Sequence, residues 1–284
     1  MSAVPASAAA RGGVVAMLRN RRAAAGFALV GLAEAAALLA PVLTPYAPNE
    51  PDFLAVLSGP SLQHPLGTDD LGRDVLTRVF HGARVSLVVG VFSVLSALIA
   101  GTVLGAAAGY AGSWADAVIM RVMDVIFAFP SVLLALAIAA VLGPSLINAI
   151  IAISVVNLPV FARIARAQTM VVRSLDFVEA KRALGFGPVD ILFRTILPNI
   201  AAPLIVQGSL LFAAAIITES YLSFLGLGAQ PPMATWGNML RNSIAFLDLA
   251  PWLAWSSGMA IFLTVLGFNL VGDALRDFFD PRET

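Results

Sequence analysis

Apolar runs of roughly 18 or more residues, the length that crosses a bilayer as a helix, recur six times along this chain. They lie at about 24–43, 84–109, 117–142, 145–165, 200–222 and 251–272. No soluble core of this size can hide so many runs, so the expected fold is an all-α polytopic membrane protein with six transmembrane helices. Composition agrees: 59% of the 284 residues are hydrophobic and 12% charged, against about 25% charged in soluble domains. The first run follows Arg19, Arg21 and Arg22 as a signal peptide would. Its apolar length exceeds the usual leader, so it is read as a retained span.

Arginine placement orients the spans. Only Arg73, Arg78, Arg84 and Arg241 fall on the side away from the termini, and the other thirteen of the 17 basic residues fall with them. Both termini are therefore expected in the cytoplasm of a multi-pass cell-membrane protein. The expected organisation is a cytoplasmic segment 1–23, a first span 24–43, an extracytoplasmic segment 44–83, a transmembrane core 84–273 and a cytoplasmic tail 274–284. Gly143-Pro144 marks the turn between the third and fourth spans, which Pro130 and Pro159 interrupt. Gly101, Gly105 and Gly109 share one helix face and invite close packing. Glu34 stands as the lone acid well inside a span, and a helix contact is expected for it in preference to a proton relay.

Several chemistries are missing. The formal net charge is zero, which gives no field for nucleic acid. There is no cysteine, hence no disulfide, thiolate nucleophile or Cys-based metal site. A phosphate-binding loop needs Gly-Lys-[Ser/Thr], yet the single lysine, Lys181, lies between Ala180 and Arg182. His64 and His81 lack the partners of a zinc site and read as loop or surface residues. No catalytic or metal-ligating set is expected.

Two segments between spans carry pattern. In "VEAKRALGFGPVDILFRTILPN" (178–199), Asp176 is expected to cap a short helix that Gly185, Gly187 and Pro188 stop. Phe177, Ala180 and Leu184 form one small apolar face, bordered by Glu179, Lys181 and Arg182. Such a helix either lies on lipid headgroups or docks into a partner's cleft. Before the second span, Gly67, Asp69, Asp70, Gly72, Arg73 and Asp74 make a turn-rich, paired-charge patch. Alone it reads as a solvated loop, a weak calcium site, or a patch ordering the outer mouth.

Glu179-Ala180, Gly185 and Ile196-Leu197-Pro198 resemble the EAA loop of ABC-importer permeases. Lys181 stands where that loop usually has a second alanine, and Thr195 where histidine is frequent. "HPLGTDDLGRDVLTRVFHGARVSL" (64–87), "RVMDVIFAFPSVLLAL" (121–136), "ESYLSFLGLGAQPPMATWGNML" (219–240) and "NLVGDALRDFFDPR" (269–282) extend the resemblance. They are similar to the second permease subunit of the dipeptide, oligopeptide and nickel importers.

The resemblance implies a type I ABC-importer permease fold and alternating-access import of di- or oligopeptides, with nickel or another small ligand as the alternative. A secondary transporter is the rival from another class. A coupling helix over 176–187 is implied, with Phe177, Glu179, Ala180, Lys181, Leu184 and Gly185 meeting an ATPase. Contact of Asp69, Asp70, Arg73 and Asp74 with the outer mouth or a binding protein is implied in turn. The partners would be a homologous permease subunit forming a heterodimer, two ATP-binding subunits holding ATP and Mg, an extracytoplasmic substrate-binding protein, and membrane lipid.

Overall fold

The computed structural model describes residues 20–279. Arg11, Arg19, Arg282 and the ends of the two terminal segments lie outside the described residues. Among the described residues the regular structure is helical, with one isolated bridge between Thr68 and Asp74, and residues 44–74 and 225–235 run as turns and loop. The helices used below are α1 (Arg21–Leu43), α2 (Val75–Ala111), α3 (Ser113–Phe127), α4 (Ser131–Leu142), α5 (Leu146–Val172), α6 (Asp176–Ala183), α7 (Ala201–Phe224), α8 (Trp236–Ser243) and α9 (Trp252–Phe279). Short helical turns over 188–199 join α6 to α7.

Five of these helices, α1, α2, α5, α7 and α9, are long and apolar enough to cross a membrane, and α3 with α4 makes a sixth candidate. The all-helical, six-span expectation thus holds, with the third span broken. α3 and α4 meet at 91°. Pro130 has no N–H to continue the ladder, and its ring would strike the preceding turn. Pro159 behaves differently. It is buried inside an unbroken α5, so the expected interruption of the fourth span is corrected. α5 also runs to Val172, past the expected end near 165. Arg163 and Arg166 do not end it, because they pair with Asp124 and Asp116 on α3.

The chain divides into two compact units, one holding the residues up to Val88 and from Pro231 onward, the other Val89–Gln230. In the first unit α1 lies along α9. A Cβ on Gly26 would stand 2.7 Å from Leu270 Cβ, and one on Gly267 2.9 Å from Leu29 Cβ. The first apolar run is therefore part of the folded unit. Val75, Val79, Met239 and Leu253 form a buried core here. Trp236, also buried, donates Nε1 to Val79 O at 2.9 Å. Glu34 is exposed on α1, so the expected helix contact is not made within this unit.

In the second unit α2 and α5 pack backbone to backbone. A Cβ on Gly101, Gly105 or Gly109 would come within 2.7, 2.1 and 2.7 Å of the carbonyl oxygens of Leu158, Ala162 and Arg166. The close-packing reading of this glycine stripe is borne out. Gly143 ends α4 at φ +87°, as the turn signal required. Glu219 on α7 is fully buried and accepts a 2.7 Å hydrogen bond from Ser223 Oγ. Glu34 is therefore not the lone acid within a span. The sequence places Glu219 near a span's end, where a charge draws no notice. Large apolar side chains such as Leu38, Val42, Val141 and Trp255 remain exposed, as helices in lipid require.

Candidate functional site

The stretch after α5 builds a short, sharply ended helix. Leu175 is extended at φ −82°, ψ 146° and precedes the first turn; Asp176 is the first helical residue, and its side chain makes no capping bond. The expected cap at Asp176 is corrected by one residue. Its charge still acts favourably: Asp176 and Glu179 occupy the first turn and Lys181 and Arg182 the last, each sign opposing the nearer end of the helix dipole. At the far end Gly185 N–H donates to Arg182 O at 3.0 Å and Phe186 N–H to Lys181 O at 3.1 Å. That pair of bonds closes the helix through a left-handed residue, which Gly185 supplies at φ +83°. Pro188 then starts the next turn as its first helical residue.

One residue anchors α6 and several face out. Val178 is fully buried. Phe177, Leu184 and Phe186 are exposed, and so are Glu179 and Ala180. Val178 was missed by the i, i+3, i+7 reading, and no local signal separates it from the exposed Phe177 beside it. Lys181 Nζ donates to Thr195 Oγ1 at 2.8 Å and lies 5.5 Å from the Phe186 ring centroid. Arg182 stacks over Tyr110 at 5.3 Å, while Arg173 donates to the carbonyls of Gly109 and Tyr110 at 2.6 and 3.2 Å. α6 is thus tied to the end of α2 and to the turns leading to α7. Its apolar side is left free.

The charged patch before α2 has the opposite character. Asp74 caps α2, accepting from Thr77 N at 2.8 Å and Thr77 Oγ1 at 2.6 Å, with its other oxygen 2.9 Å from His64 Nδ1. This cap explains why α2 begins at Val75, well before the expected 84. Asp69 accepts from the Leu71 and Arg73 amides, each at 3.0 Å, and pairs with Arg73 Nε at 2.7 Å and Arg78 Nε at 3.4 Å. Arg78 also donates to Pro48 O at 2.8 Å. Gly67 and Gly72 turn at φ +74° and +75°. Asp69, Arg73 and Asp74 are buried, and only Asp70 of the four is half open. The solvated-loop alternative is therefore corrected: desolvated charges here satisfy one another and hold the segment folded. His64, expected at the surface, is buried against Asp74 and stacked on Tyr46 at 4.8 Å. Among the described residues no group of three His, Cys, Asp or Glu could hold a metal.

α6 is thus a short anchored helix with a free apolar side, following a long span. Comparison with known proteins decides the family: residues 101–284 match the model of the binding-protein-dependent transport system inner membrane component. The chain belongs to that family. This permease is 48% identical over 264 residues to a dipeptide transport system permease protein of Alkalihalophilus pseudofirmus, covering 93% of this chain and 87% of the relative. It is 46% identical over 266 residues to a glutathione transport system permease protein of Pectobacterium atrosepticum, covering 93% and 88%. A di/tripeptide transport system permease protein of Pseudomonas aeruginosa is 46% identical over 269 residues, covering 93% and 89%. The permease is a multi-pass inner-membrane transport component and not the ATPase of its system. Membership implies partnership with ATPase and substrate-binding components.

Proposed function

We propose that this permease imports short peptides by alternating access, driven by ATP hydrolysis on two partner subunits and fed by an external binding protein. The single observation that carries the substrate is the set of relatives named for dipeptides, di/tripeptides and glutathione, each aligned over 93% of this chain. The chemistry they share is a short peptide. A second, homologous permease subunit completes the pathway as a heterodimer, and ATP and Mg are held by the ATPases. Both termini face the cytoplasm, 44–83 faces outward, and the core covers 84–273.

In this reading α6, with the turn to residue 187, is the coupling helix. Phe177, Ala180 and Leu184 enter a cleft on the ATPase, and Glu179 meets a basic residue there. Among the described residues Glu179 has no intrachain ion pair, which leaves its charge available. Lys181 and Gly185 set the helix's position. On the outer side, contact with the binding protein falls to Asp70 and the neighbouring Leu71, since the other three charges face inward.

Two measurements test this. In proteoliposomes, the complex with its binding protein should accumulate labelled di- or tripeptides only when ATP is present on the cytoplasmic face. Cysteines replacing Ala180 or Ala183, in a chain without native cysteine, should cross-link to the ATPase. Absence of peptide uptake removes the substrate, and absence of cross-linking at both positions removes the docking role.

A further inference from the structure

α1 packs on α9 along one side, and Glu34 stands exposed on the part left open. Among the described residues it makes no hydrogen bond and no ion pair. Gly31, three residues earlier on the same face, would find nothing within 4 Å of an added Cβ. Leu38, four residues later, is 77% exposed. A bare stretch of backbone, a carboxylate and a leucine thus form one open strip along a membrane helix.

The depth of Glu34 follows from the length of its helix. α1 has 23 residues, with Glu34 thirteen after Arg21 and nine before Leu43. Such a helix is about 35 Å long, scarcely more than the hydrocarbon layer of about 30 Å that it crosses. Wherever α1 sits along the bilayer normal while spanning it, Glu34 stays about 9 Å or more from either surface. The apolar run 24–43 agrees, since Glu34 falls at its centre. A glutamate side chain is too short to carry its charge out to the headgroups. A carboxylate at that depth must meet protein or water.

This chain does not hold the opposite charge. Its six apolar runs contain three basic residues, Arg84, Arg121 and Arg163, each within five residues of an end of its run. Arg163 is already paired with Asp124. A second copy of the chain would bring another Glu34 and no cation at its depth. The charge that closes the pair therefore belongs to a different chain, and to one that spans the membrane. In the import reading the ATPases and the binding protein flank the bilayer, and only the second permease subunit crosses it. Gly31 suits such a neighbour, because a helix backbone can approach closely where a Cβ is missing.

We propose that Glu34 is one half of an intramembrane ion pair whose other half is a mid-span lysine or arginine of the second permease subunit, with the strip of Gly31, Glu34 and Leu38 packed against that span. The proposal rests on the heterodimer reading above. Charge complementarity makes the contact selective. A neighbouring helix without a cation at that depth would leave Glu34 unpaired, whereas the matched one removes two unpaired charges at once. The pair therefore sorts the correct second subunit from further copies of this chain, which is how a polar group within an interface specifies its partner.

The test co-expresses both permease subunits with the ATPases and captures this chain by a tag in mild detergent. Wild type should retain the second permease subunit. Glu34→Ala and Glu34→Gln should each lower that retention about tenfold or more. The melting temperature of the isolated chain should not change, because Glu34 holds no bond in its own fold. Benzophenone-maleimide on Gly31→Cys or Leu38→Cys, irradiated in membranes, should join this chain to the second subunit close to a mid-span lysine or arginine. Leu32→Cys, on the opposite side of α1, should label lipid instead. Exchanging the charges, Glu34→Lys here and glutamate for the mapped base there, should restore retention. Full retention with Glu34→Gln would overturn the pair and leave the heterodimer standing. Adducts only with lipid or with this chain, or reaction of both reporters with an impermeant maleimide in the complex, would overturn it as well. A wild-type chain that retains no second permease subunit would remove the heterodimer and this pair together.

Discussion

Lys181 Nζ donates a 2.8 Å hydrogen bond to Thr195 Oγ1, tying α6 to the turns that lead into α7. These are the two positions at which the loop departs from the family pattern, an alanine replaced by lysine and a frequent histidine replaced by threonine. The departures meet. A lysine ammonium needs an acceptor when it is partly buried, and the hydroxyl supplies one. Lys181 therefore acts within the permease as a strut, while Glu179, Phe177 and Leu184 remain turned outward.

Removing the strut should loosen coupling before it loosens assembly. Lys181→Ala forfeits a charge-assisted bond that, half exposed, is worth about 1 kcal/mol. The complex should purify, and ATP hydrolysed per substrate imported should rise about threefold, a change of that same order. Thr195→Val should do the same, and the double variant should be no worse than either single one. Parallel assays of hydrolysis and uptake check this; additive losses would show that the two residues act separately.

Val178 and Phe177 are neighbours with opposite expectations. Val178→Ala removes a fully buried side chain and should destabilise the permease by about 2 kcal/mol. Phe177→Ala should leave thermal stability unchanged and instead weaken ATPase binding. Thermal unfolding of the isolated permease in detergent, set beside co-purification of the ATPase, separates the two.

Breaking the outer cluster should unfold its segment. Asp69→Ala leaves Arg78 buried without its carboxylate and Arg73 with only the longer 3.5 Å contact to Asp70. Losing one partner of a buried pair costs about 3–5 kcal/mol. Protease added from outside should then cut within 44–74 at a much higher rate than in wild type. Asp70→Ala, on the half-open residue, should leave that rate unchanged while reducing uptake.

A methyl group is enough to test the glycine stripe. At Gly105 it would stand 2.1 Å from Ala162 O, whereas at Gly258 it meets nothing within 4 Å. Gly105→Ala should lower the yield of folded permease and cost about 1–3 kcal/mol or more. Gly258→Ala should be neutral. Size-exclusion profiles and melting temperatures of both variants give the comparison.

Apolar length made the spans legible, since a helix of 20 such residues has few alternatives. Their ends were not, because they depend on partners distant in sequence. Asp74 starts α2 early as a cap, which a hydropathy window does not register. Arg163 and Arg166 do not end α5, because α3 brings Asp124 and Asp116 to them. The same blindness affected the charged patch at 69–74. Alternating signs in a glycine-rich loop look alike whether they face water or each other, and only the folded turn decides. The coupling segment was easier to read. Gly185 at a left-handed turn and acids before bases along eight residues are local properties, and the exposed Phe177, Ala180 and Leu184 follow from them. Val178 escaped because one buried residue makes no period.

The backbone contact between α2 and α5 has a mechanical consequence. Helices that touch through long side chains can absorb a small displacement by changing rotamers, much as worn gears have play. At Gly101, Gly105 and Gly109 there is nothing of that kind to give, because the next atoms are the carbonyl oxygens of α5. Arg173, just beyond α5, further fastens that end to the last carbonyls of α2. In the proposed docking role, a push delivered through α6 would reach both helices at once and with little backlash. The pair would tilt as one beam, so that even a short stroke would not be spent on slack.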